Sequence, residues 1–356
     1  MPGLYIGGTT GFAGKNLLAL ALAMTFKEEG YRVGFMKPVG FMPRELEEQM
    51  GDEDAVFIQD ALGLNDELDL VTPVLFDEQF TITALTQGCS GLMDTILSAH
   101  ETLSREKDVM LICGSGSFLH AGKYCDVAGL EVAQTLQSKV ILVDRFFKEF
   151  YYDYLVRCKE LLGEDLIGAV FNCVPEDRQD EIQELILPLF QRRDIRLLGS
   201  IPDDQRLNSL KIRDLARRLQ GKTISAPQKT DHLVDDFLIG TMQVENFMTH
   251  FKKRRNSAVI VGGDRSDLQL VALEGRCPCL ILTGNLYPND LILSRSDALQ
   301  IPIIVVREDT YTVAKEMEKV LDSSKFREPS LIDYGVKLVK SNLDIAALKT
   351  GLGLEA

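Results

Sequence analysis

A glycine-rich segment near the amino terminus combines the residue types that bind phosphate. It lies between an apolar run typical of a strand and an apolar run typical of a helix. Glycines let backbone N–H groups converge on an anion, and the N-terminus of the following helix adds a partial positive charge. We therefore predict that the Lys15 ammonium reaches a β- or γ-phosphate. The predicted phosphate contacts are Gly8, Thr9, Thr10, Gly11, Phe12, Ala13, Gly14, Lys15 and Asn16.

This segment departs from the common phosphate-loop pattern in two ways. Five residues separate Gly8 from Gly14, one more than the pattern G-x-x-x-x-G-K-[ST] allows. In addition, Asn16 stands where that pattern places the Ser or Thr hydroxyl that binds Mg²⁺. The alternative interpretation of Lys15 is a surface lysine at a helix start, where a cation opposes the helix dipole. That mismatch favours phosphate binding, while Asn16 raises the question of whether a bound nucleotide is hydrolysed.

Composition narrows the function classes. The 356-residue chain has a net charge of −14 and a pI near 4.9, which argues against binding nucleic acid or an anionic membrane surface. No apolar run approaches the roughly 20 residues needed to cross a bilayer, and the first residues lack a signal-peptide pattern. The seven cysteines and four histidines show no metal-site spacing. We expect a cytoplasmic protein with reduced, buried cysteines.

The elements that must position these residues follow an α/β pattern. Short apolar strands alternate with helices over the first two hundred residues, which predicts a mostly parallel sheet with helices on both faces. In such sheets ligands bind at the carboxyl ends of the strands. Gly8, Lys37, Cys113 and Asn172 each follow or end a predicted strand. We therefore expect these four residues to converge on one crevice.

Three segments are predicted from composition and turn signals. Residues 1–204 form the phosphate-loop domain, 205–322 form a smaller α/β domain, and 323–356 form a linker and a C-terminal helix. Within the second domain we predict a long helix over 234–252. Residues at the ends of its strands are interpreted as a ligand site or a subunit interface. They are Asp264, Arg265, Asp267, Thr283, Gly284 and Asp309. For Asp264, Arg265 and Asp267 the alternative is a capped turn with an Asp–Arg pair.

Several motifs of the first domain resemble dethiobiotin synthetase. They are the G-x5-G-K loop, Lys37-Pro38-Val39, the acidic run ending at Asp54, the Gly-Ser-Gly turn at 114–116, and Asn172. That family binds ATP on a phosphate loop and phosphorylates a carbamate to close a cyclic urea. In the second domain, the runs at 263–267, 282–284 and 309–311 resemble the DRTGG domain.

A synthetase-like domain followed by a DRTGG domain resembles the amino-terminal half of long bacterial phosphate acetyltransferases. The resemblance covers essentially the whole chain. In that family the acetyl-transfer domain comes afterwards, and we expect it to be missing here. The resemblance therefore implies a regulatory role and no acetyltransferase activity. Both halves resemble modules that self-associate, so we expect a homodimer, and a protein partner is left open.

The resemblance also implies roles for individual residues. Lys37 matches a lysine that holds substrate and phosphate, and Asp54 matches an acidic residue associated with Mg²⁺ and nucleotide, although a solvated charge is equally open. Asn172 matches the position that reads the purine edge, or alternatively it caps the helix that starts near Glu176. The synthetase pattern has a Glu at the position of Cys113. With Asn16 and Cys113 both altered, Mg²⁺ binding is doubtful, because this cation favours carboxylate and hydroxyl oxygens.

Our leading hypothesis is a regulatory or sensor protein that binds ATP, another nucleotide or a phosphorylated metabolite, with little or no catalysis. The alternative is a Mg-ATP-dependent ligase or kinase of synthetase type that acts on a carboxylate or carbamate, with Lys15 and Lys37 as catalytic residues and Asp54 as the metal ligand. A third interpretation is a structural subunit whose pocket is vestigial.

Overall fold

A computed structural model describes residues 2–46, 49–146, 152–254, 256–323 and 329–354. The chain divides into two compact units. One comprises Met1–Asp203 with Asp333–Ala356, and the other comprises Asp204–Ile332. Residues 333–356 thus belong with the first unit, and positions 324–328 of the predicted linker lie outside the described residues.

The first unit is built on a six-stranded parallel sheet. The strands of the whole unit are β1 Gly3–Gly8, β2 Val33–Met36, β3 Val39–Gly40, β4 Pro43–Leu46, β5 Gln49–Asp52, β6 Val74–Leu75, β7 Val109–Cys113, β8 Lys139–Arg145, β9 Leu166–Val174 and β10 Leu197–Pro202. Strands β3 and β6 pair with each other outside the main sheet, and so do β4 and β5. Its helices before residue 204 are α1 Lys15–Glu28, α2 Glu53–Leu62, α3 Leu68–Val71, α4 Glu78–Gln87, α5 Leu92–Leu103, α6 Gly129–Thr135, α7 Asp153–Leu162, α8 Gln179–Glu181 and α9 Leu187–Arg192.

The order in the main sheet is β10-β9-β8-β1-β7-β2, and every neighbouring pair is parallel. The predicted α/β class with a mostly parallel sheet is therefore confirmed. The phosphate-loop strand β1 lies in the middle, between β7 and β8, and its residues Leu4 and Ile6 are fully buried. A central strand buried on both faces explains why the run before the loop is continuously apolar.

The second unit has a five-stranded sheet. The strands of the whole unit are β11 Leu210–Lys211, β12 Lys222–Ser225, β13 Leu233–Val234, β14 Asp236–Gly240, β15 Ser257–Gly262, β16 Leu280–Thr283 and β17 Ile303–Val305. Strands β11 and β13 pair with each other outside the main sheet. The helices of this unit are α10 Ile212–Arg218, α11 Val244–Phe251, α12 Ser266–Glu274, α13 Asp290–Leu299 and α14 Thr310–Ser323. Helix α15 Pro329–Asn342 belongs to the first unit from Asp333 onward, and α16 Ile345–Leu352 belongs to it entirely. The sheet order is β12-β17-β16-β15-β14, with β12 antiparallel and the others parallel.

The helix predicted over 234–252 is wrong in its first half. Residues 236–240 form β14, which pairs in parallel with β15, and the helix is confined to Val244–Phe251. The local sequence Phe237-Leu238-Ile239 has high β propensity, and sheet pairing overrides the helical spacing of its apolar residues.

The cysteine prediction needs one correction. Cys89 and Cys125 form a disulfide with their Cα atoms 5.2 Å apart, whereas the sequence predicts only reduced thiols. The two residues are 36 positions apart in different loops, so no spacing pattern indicates the pair. Of the five free cysteines, Cys113, Cys158, Cys277 and Cys279 are buried as expected, whereas Cys173 is partly exposed. Among the described residues, no helix is long and apolar enough to cross a bilayer.

Candidate functional site

The glycine-rich loop joins the end of β1 to the start of α1, and two of its glycines are required by its shape. Gly14 has a φ of 111°, and a Cβ there would come within 2.0 Å of the Asn172 amide nitrogen. A Cβ on Gly8 would lie 2.8 Å from Lys15 Nζ, because the lysine folds back across the loop. The loop therefore forms a cradle whose floor is the backbone and whose charged group is Lys15.

Lys15 is a buried cation without a carboxylate partner among its hydrogen bonds. Its side chain is only 7% exposed, and Nζ donates to the carbonyl oxygens of Thr10 at 3.2 Å and Gly116 at 2.9 Å. Burial lowers its pKa to about 8, with a smaller lowering by Lys37 and partial compensation by Cys113 and Asp54. Carbonyl dipoles stabilise the ammonium less than an anion would. The site is thus electrostatically suited to a phosphate.

The two altered positions of the predicted metal site contact each other. Cys113, at the end of β7, donates its thiol hydrogen to Asn16 Oδ1 across 3.3 Å. Burial raises the pKa of the Cys113 thiol to about 11, so it stays protonated at neutral pH. A neutral thiol and an amide oxygen already engaged in a hydrogen bond are poor ligands for a hard cation. This pair of side chains does not fit Mg²⁺.

Lys37 forms a buried ion-paired triad with two aspartates. Its Nζ lies 2.6 Å from Asp52 Oδ1 and 2.9 Å from Asp54 Oδ2. Burial alone would lower the pKa of Lys37, but the charges of Asp54 and Asp52 outweigh it and raise the pKa above its ordinary value. Lys37 therefore stays charged, and its charge is balanced within the protein. Asp54 Oδ2 is used by this ion pair.

Asn172 supports the loop directly. It lies in β9, is 8% exposed, and donates from Nδ2 to the carbonyl oxygen of Ala13 at 2.9 Å. The helix-cap interpretation is wrong, because Pro175 precedes the turn that begins at Glu176. The purine-edge role stays a prediction. Together with Lys15, Lys37 and Cys113, Asn172 surrounds the loop, so the residues expected to converge do so.

The sequence does not single out Asp144, a carboxylate on β8, which is the neighbour of β1 on the side opposite β7. Asp144 lies near the end of β8, is 8% exposed, and accepts a hydrogen bond from the Thr9 hydroxyl. Burial raises its pKa to about 6, and the Thr9 hydrogen bond partly opposes that rise. Its position could have indicated a site residue, because Asp144 follows a short apolar run at the end of a strand, as Cys113 does.

Asp52 was also missed as the central partner of Lys37. It is fully buried and caps α2, and its carboxylate also accepts from the backbone N–H groups of Phe41 and Met42. The sequence singled out Asp54 because it matched the family pattern. Asp52 is the last residue of β5, and spacing does not reveal that it is buried against Lys37.

We predict that Asp52→Ala lowers the free energy of unfolding by about 3–5 kcal/mol. The buried Lys37 ammonium would lose its closer carboxylate partner, and several backbone N–H donors would lose their acceptor. Asp54→Ala is the matched control, since its side chain is more exposed than that of Asp52 and Lys37 keeps its closer partner. Its expected cost is about 1–2 kcal/mol. Urea denaturation of the full chain measures both. Equal losses would contradict the central role of Asp52.

In the second unit the predicted polar residues follow neighbouring parallel strands. Arg265 and Asp267 form a two-pronged ion pair, with both N–O distances 2.9 Å. Asp309 accepts from the N–H groups of Tyr311 and Thr312 at the start of α14. The Asp–Arg pair of the capped-turn interpretation is thus present at Arg265 and Asp267, but Arg265, at the N-cap of α12, makes no side-chain capping hydrogen bond. Asp309 caps the start of α14.

The remaining three residues occupy the same loops. Thr283 shares a hydroxyl hydrogen bond of 2.8 Å with Thr310, and Gly284, at a φ of 79°, donates its N–H to Glu308. Asp264 lies in the turn after β15, where its carboxylate occupies the space beside Gly262. A ligand or an interface at this edge stays a prediction.

Two family models match the chain. A model described as an AAA domain matches residues 2–211, which is more than half of the chain. The chain belongs to this AAA-domain family. A second model, described as a DRTGG domain, matches residues 214–320 of this AAA-domain protein.

Curated relatives of this AAA-domain protein are of two kinds. The phosphate acetyltransferase of Synechocystis is 20% identical over 96% of this chain and 50% of its own length, and that of Pseudomonas putida is 25% identical over 99% and 52%. The dethiobiotin synthetase of Methanococcus vannielii is 24% identical over 56% of this chain and 93% of its own length. The chain spans about half the length of the acetyltransferases it matches. The predicted resemblance to their amino-terminal half is confirmed.

Solved structures overlap this AAA-domain protein in part. A nucleotide-binding protein from Archaeoglobus fulgidus, in complex with ADP, is 14% identical, with 57% of this chain and 82% of that chain covered and a TM-score of 0.32. The CBS and DRTGG regulatory region of Clostridium perfringens pyrophosphatase, in complex with diadenosine tetraphosphate, is 16% identical, with 41% and 74% covered and a TM-score of 0.30.

Proposed function

We propose that this chain is a regulatory or sensor protein that binds a nucleotide or another phosphorylated metabolite on the Gly8–Asn16 loop, with little or no turnover. The observation that carries the proposal is the contact between Cys113 and Asn16 beside an otherwise complete phosphate cradle. A phosphate loop that keeps its lysine keeps the means to bind an anion. Replacement of both metal-ligand positions removes the means to accelerate phosphoryl transfer.

Binding is supported by the state of Lys15. Its hydrogen bonds go to two carbonyl oxygens, and its pKa is about 8 in a site with little water access. A bound phosphate would replace these carbonyls with a charged acceptor, and charge-assisted hydrogen bonds are about twice as strong as neutral ones. The favourable binding energy therefore comes from the Lys15 ammonium, which has only neutral hydrogen-bond acceptors in the free protein.

Slow turnover is supported by the donor atoms around the cradle. Phosphoryl transfer relies on a metal ion to neutralise developing charge. Here the thiol of Cys113 is neutral, the amide oxygen of Asn16 accepts from it, and Asp54 is paired with Lys37. Lys37 in turn has its charge balanced by two aspartates, so it adds less field at a transferring phosphoryl group than Lys15.

A regulatory role is supported by the relatives. The chain aligns with about half the length of phosphate acetyltransferases, and it contains a DRTGG domain itself. The dethiobiotin synthetases among the relatives are named as ATP-dependent, which supports ATP as the first ligand to test. The same relationship supports the alternative function, a Mg-ATP-dependent ligase or kinase acting on a carboxylate or carbamate.

Isothermal titration calorimetry with ATP, ADP and pyrophosphate, each with and without Mg²⁺, tests the proposal. We expect at least one of the three to bind with an affinity that Mg²⁺ changes little, and ATP hydrolysis to remain at background. Failure of all three to bind would overturn it. Mg²⁺-dependent ATP turnover of about 1 per second would favour the ligase or kinase instead.

We predict that affinity for these anions is pH-dependent above about pH 8. Only the ammonium form of Lys15 attracts phosphate, and its pKa in the free protein is about 8. Affinity should be level from pH 7 to about 8 and then fall by up to about tenfold per pH unit. Cys113, with a pKa of about 11, and Lys37, with a raised pKa, keep their charge states over this range.

Calorimetry from pH 7 to pH 9.5, in buffers of different ionisation enthalpy, measures the affinity and the proton uptake together. Near pH 8.5 binding should take up protons, since the bound anion raises the pKa of Lys15. Binding that is equally tight across this range, with no proton uptake, would show that Lys15 does not contact the anion.

A further inference from the structure

The second unit has a groove between the last strand of its sheet and a helix. Strand β14 is last in the sheet order, and among the described strands it pairs only with β15. A cavity of about 790 Å³ runs along it, beside one face of α14. Thr310, Ala314 and Glu318 are spaced four residues apart and form the helix wall, and Phe237 and Ile239 are on the strand side. A cavity of this volume suits a small organic ligand.

The backbone of β14 presents hydrogen-bonding groups at this open edge. The N–H of Phe237 donates to Asp236 Oδ1 at 2.8 Å, so residue 237 faces away from β15. Because the direction of the backbone groups alternates along a strand, residue 239 faces away as well, and its two neighbours in β14 face β15. The N–H of Ile239 therefore lies at the edge between two carbonyl groups, those of Phe237 and Ile239.

The Asp236 carboxylate limits what can use this edge. It occupies the N–H of Phe237, so a partner strand would lose one donor and would meet a charged side chain instead. What remains is a single donor with an acceptor on each side. This pattern complements a planar ring on which an amino group stands next to a ring nitrogen, because the amino group donates to a carbonyl and the ring nitrogen accepts from the Ile239 N–H.

Apolar side chains of the groove can cover such a ring. Phe237 and Ala314 pack against the same buried cluster of the unit, so this wall is fixed. Tyr311 and Met242 also line the cavity, yet they are 76% and 36% exposed. Side chains of this kind bury their surface when a ligand enters, and an aromatic ring stacks on a planar base.

The charges of the groove argue against a phosphorylated ligand. Among the described residues that line it, Asp236 and Glu318 are carboxylates, and Arg254 is the only cation. Arg254 is already paired with Asp236 at 3.2 Å. The lining thus carries an excess of one negative charge, which repels an anion. An uncharged ring suits this groove, in contrast to the Gly8–Asn16 loop, where the charged group is a lysine.

We propose that the groove binds an uncharged heteroaromatic ring with an amino group beside a ring nitrogen, the edge that a nucleoside such as adenosine carries. The Phe237 carbonyl accepts from the amino group, the Ile239 N–H donates to the ring nitrogen, and Tyr311 stacks on the ring. The chain then has two ligand sites of opposite charge preference, one in each unit.

Adenosine is the probe, because it offers this edge without a phosphate. Nuclear magnetic resonance of the isotope-labelled full chain should show saturable binding with a dissociation constant below about 1 mM, and the Ile239 amide should be among the signals that shift. N6,N6-dimethyladenosine, whose amino nitrogen has no hydrogen to donate, should bind at least about fivefold more weakly. Excess pyrophosphate should not displace adenosine, which separates this groove from the phosphate loop.

Variants of exposed side chains test the two walls of the groove. Tyr311→Ala should weaken adenosine binding at least about fivefold, because stacking is lost. AMP, followed at the Ile239 amide, should bind more weakly than adenosine to the wild-type protein and more tightly than adenosine to Glu318→Lys. Glu245→Lys is the matched control, since Glu245 is an exposed carboxylate on α11 that does not line the cavity, and it should change neither affinity.

Four results would overturn the proposal. They are the absence of saturable adenosine binding, equal affinity for the dimethyl analogue, an Ile239 amide that does not respond, and undiminished binding to Tyr311→Ala.

Discussion

Replacing Lys15 with methionine is expected to abolish binding of ATP, ADP and pyrophosphate and, at the same time, to stabilise the free protein. Methionine fills a similar volume, but it has no charge that must be kept away from water. Burial lowers the pKa of Lys15 from an ordinary value near 10.5 to about 8, and this difference corresponds to a burial cost of roughly 3 kcal/mol. Two carbonyls lose their donor in the variant, so we expect a net gain of about 1–2 kcal/mol.

The sign of the effect with pH follows from this lowered pKa. Unfolded Lys15 binds a proton up to about pH 10.5, whereas folded Lys15 releases it near pH 8. The cost of burying the Lys15 ammonium is therefore fully present below about pH 8, and it disappears as the pH rises from 8 to 10.5. The stability advantage of Lys15→Met over wild type should be largest at pH 7 and should reverse by about pH 10.5, where the burial penalty is gone and only the loss of the two hydrogen bonds remains.

Chemical denaturation at several pH values, together with calorimetry at pH 7, measures both consequences. Anion affinity should fall at least about a hundredfold, because a buried charge-assisted contact is lost. Lys139→Met is the matched control, since Lys139 is a partly exposed lysine of the same unit paired with Asp165. It should change stability by no more than about 0.5 kcal/mol. A Lys15→Met protein that is less stable than wild type at pH 7 would show that the two carbonyls hold the ammonium well.

Much of the first unit is predictable from sequence because local and global signals agree. The run before Gly8 is apolar throughout, and it becomes the central strand β1, buried on both faces. The carboxyl ends of parallel strands lie at the same edge of the sheet, and the sequence therefore predicts that Lys37, Cys113 and Asn172 lie near the loop. The order of the two domains followed from motifs at their strand ends.

Other features depend on contacts that spacing does not encode. Asp52 and Asp54 look equivalent in sequence, but Asp52 is fully buried at the end of β5, whereas Asp54 is partly exposed in the first turn of α2. Strand β14 was expected to be helical, because its apolar residues continue the spacing of α11 and its pairing partner lies 21 residues away. The Cys89–Cys125 pair likewise joins two loops that are brought together by tertiary structure alone.

The contact between Cys113 and Asn16 is the place where this site departs from a metal-binding one. Cys113 is completely buried, and the charges of Lys37 and Lys15 both act to lower its thiol pKa, although burial dominates and raises it. Two cations thus lie close enough to stabilise a negative charge at position 113. A carboxylate introduced there would have partners even before a metal arrives.

We therefore expect the double variant Asn16→Thr with Cys113→Glu to acquire Mg²⁺-dependent ATP binding. Its hydroxyl and carboxylate supply hard oxygen ligands, and Mg²⁺ should tighten ATP binding by about tenfold or more, whereas it changes wild-type affinity little. Asn16→Thr with Cys113→Gln is the matched control, because it has the same shape without the charge, and it should show no gain. Calorimetry with and without Mg²⁺ measures the difference. If the carboxylate variant responds to Mg²⁺ no more than the amide variant, the loss of these two side chains is not what separates this site from a metal-dependent one.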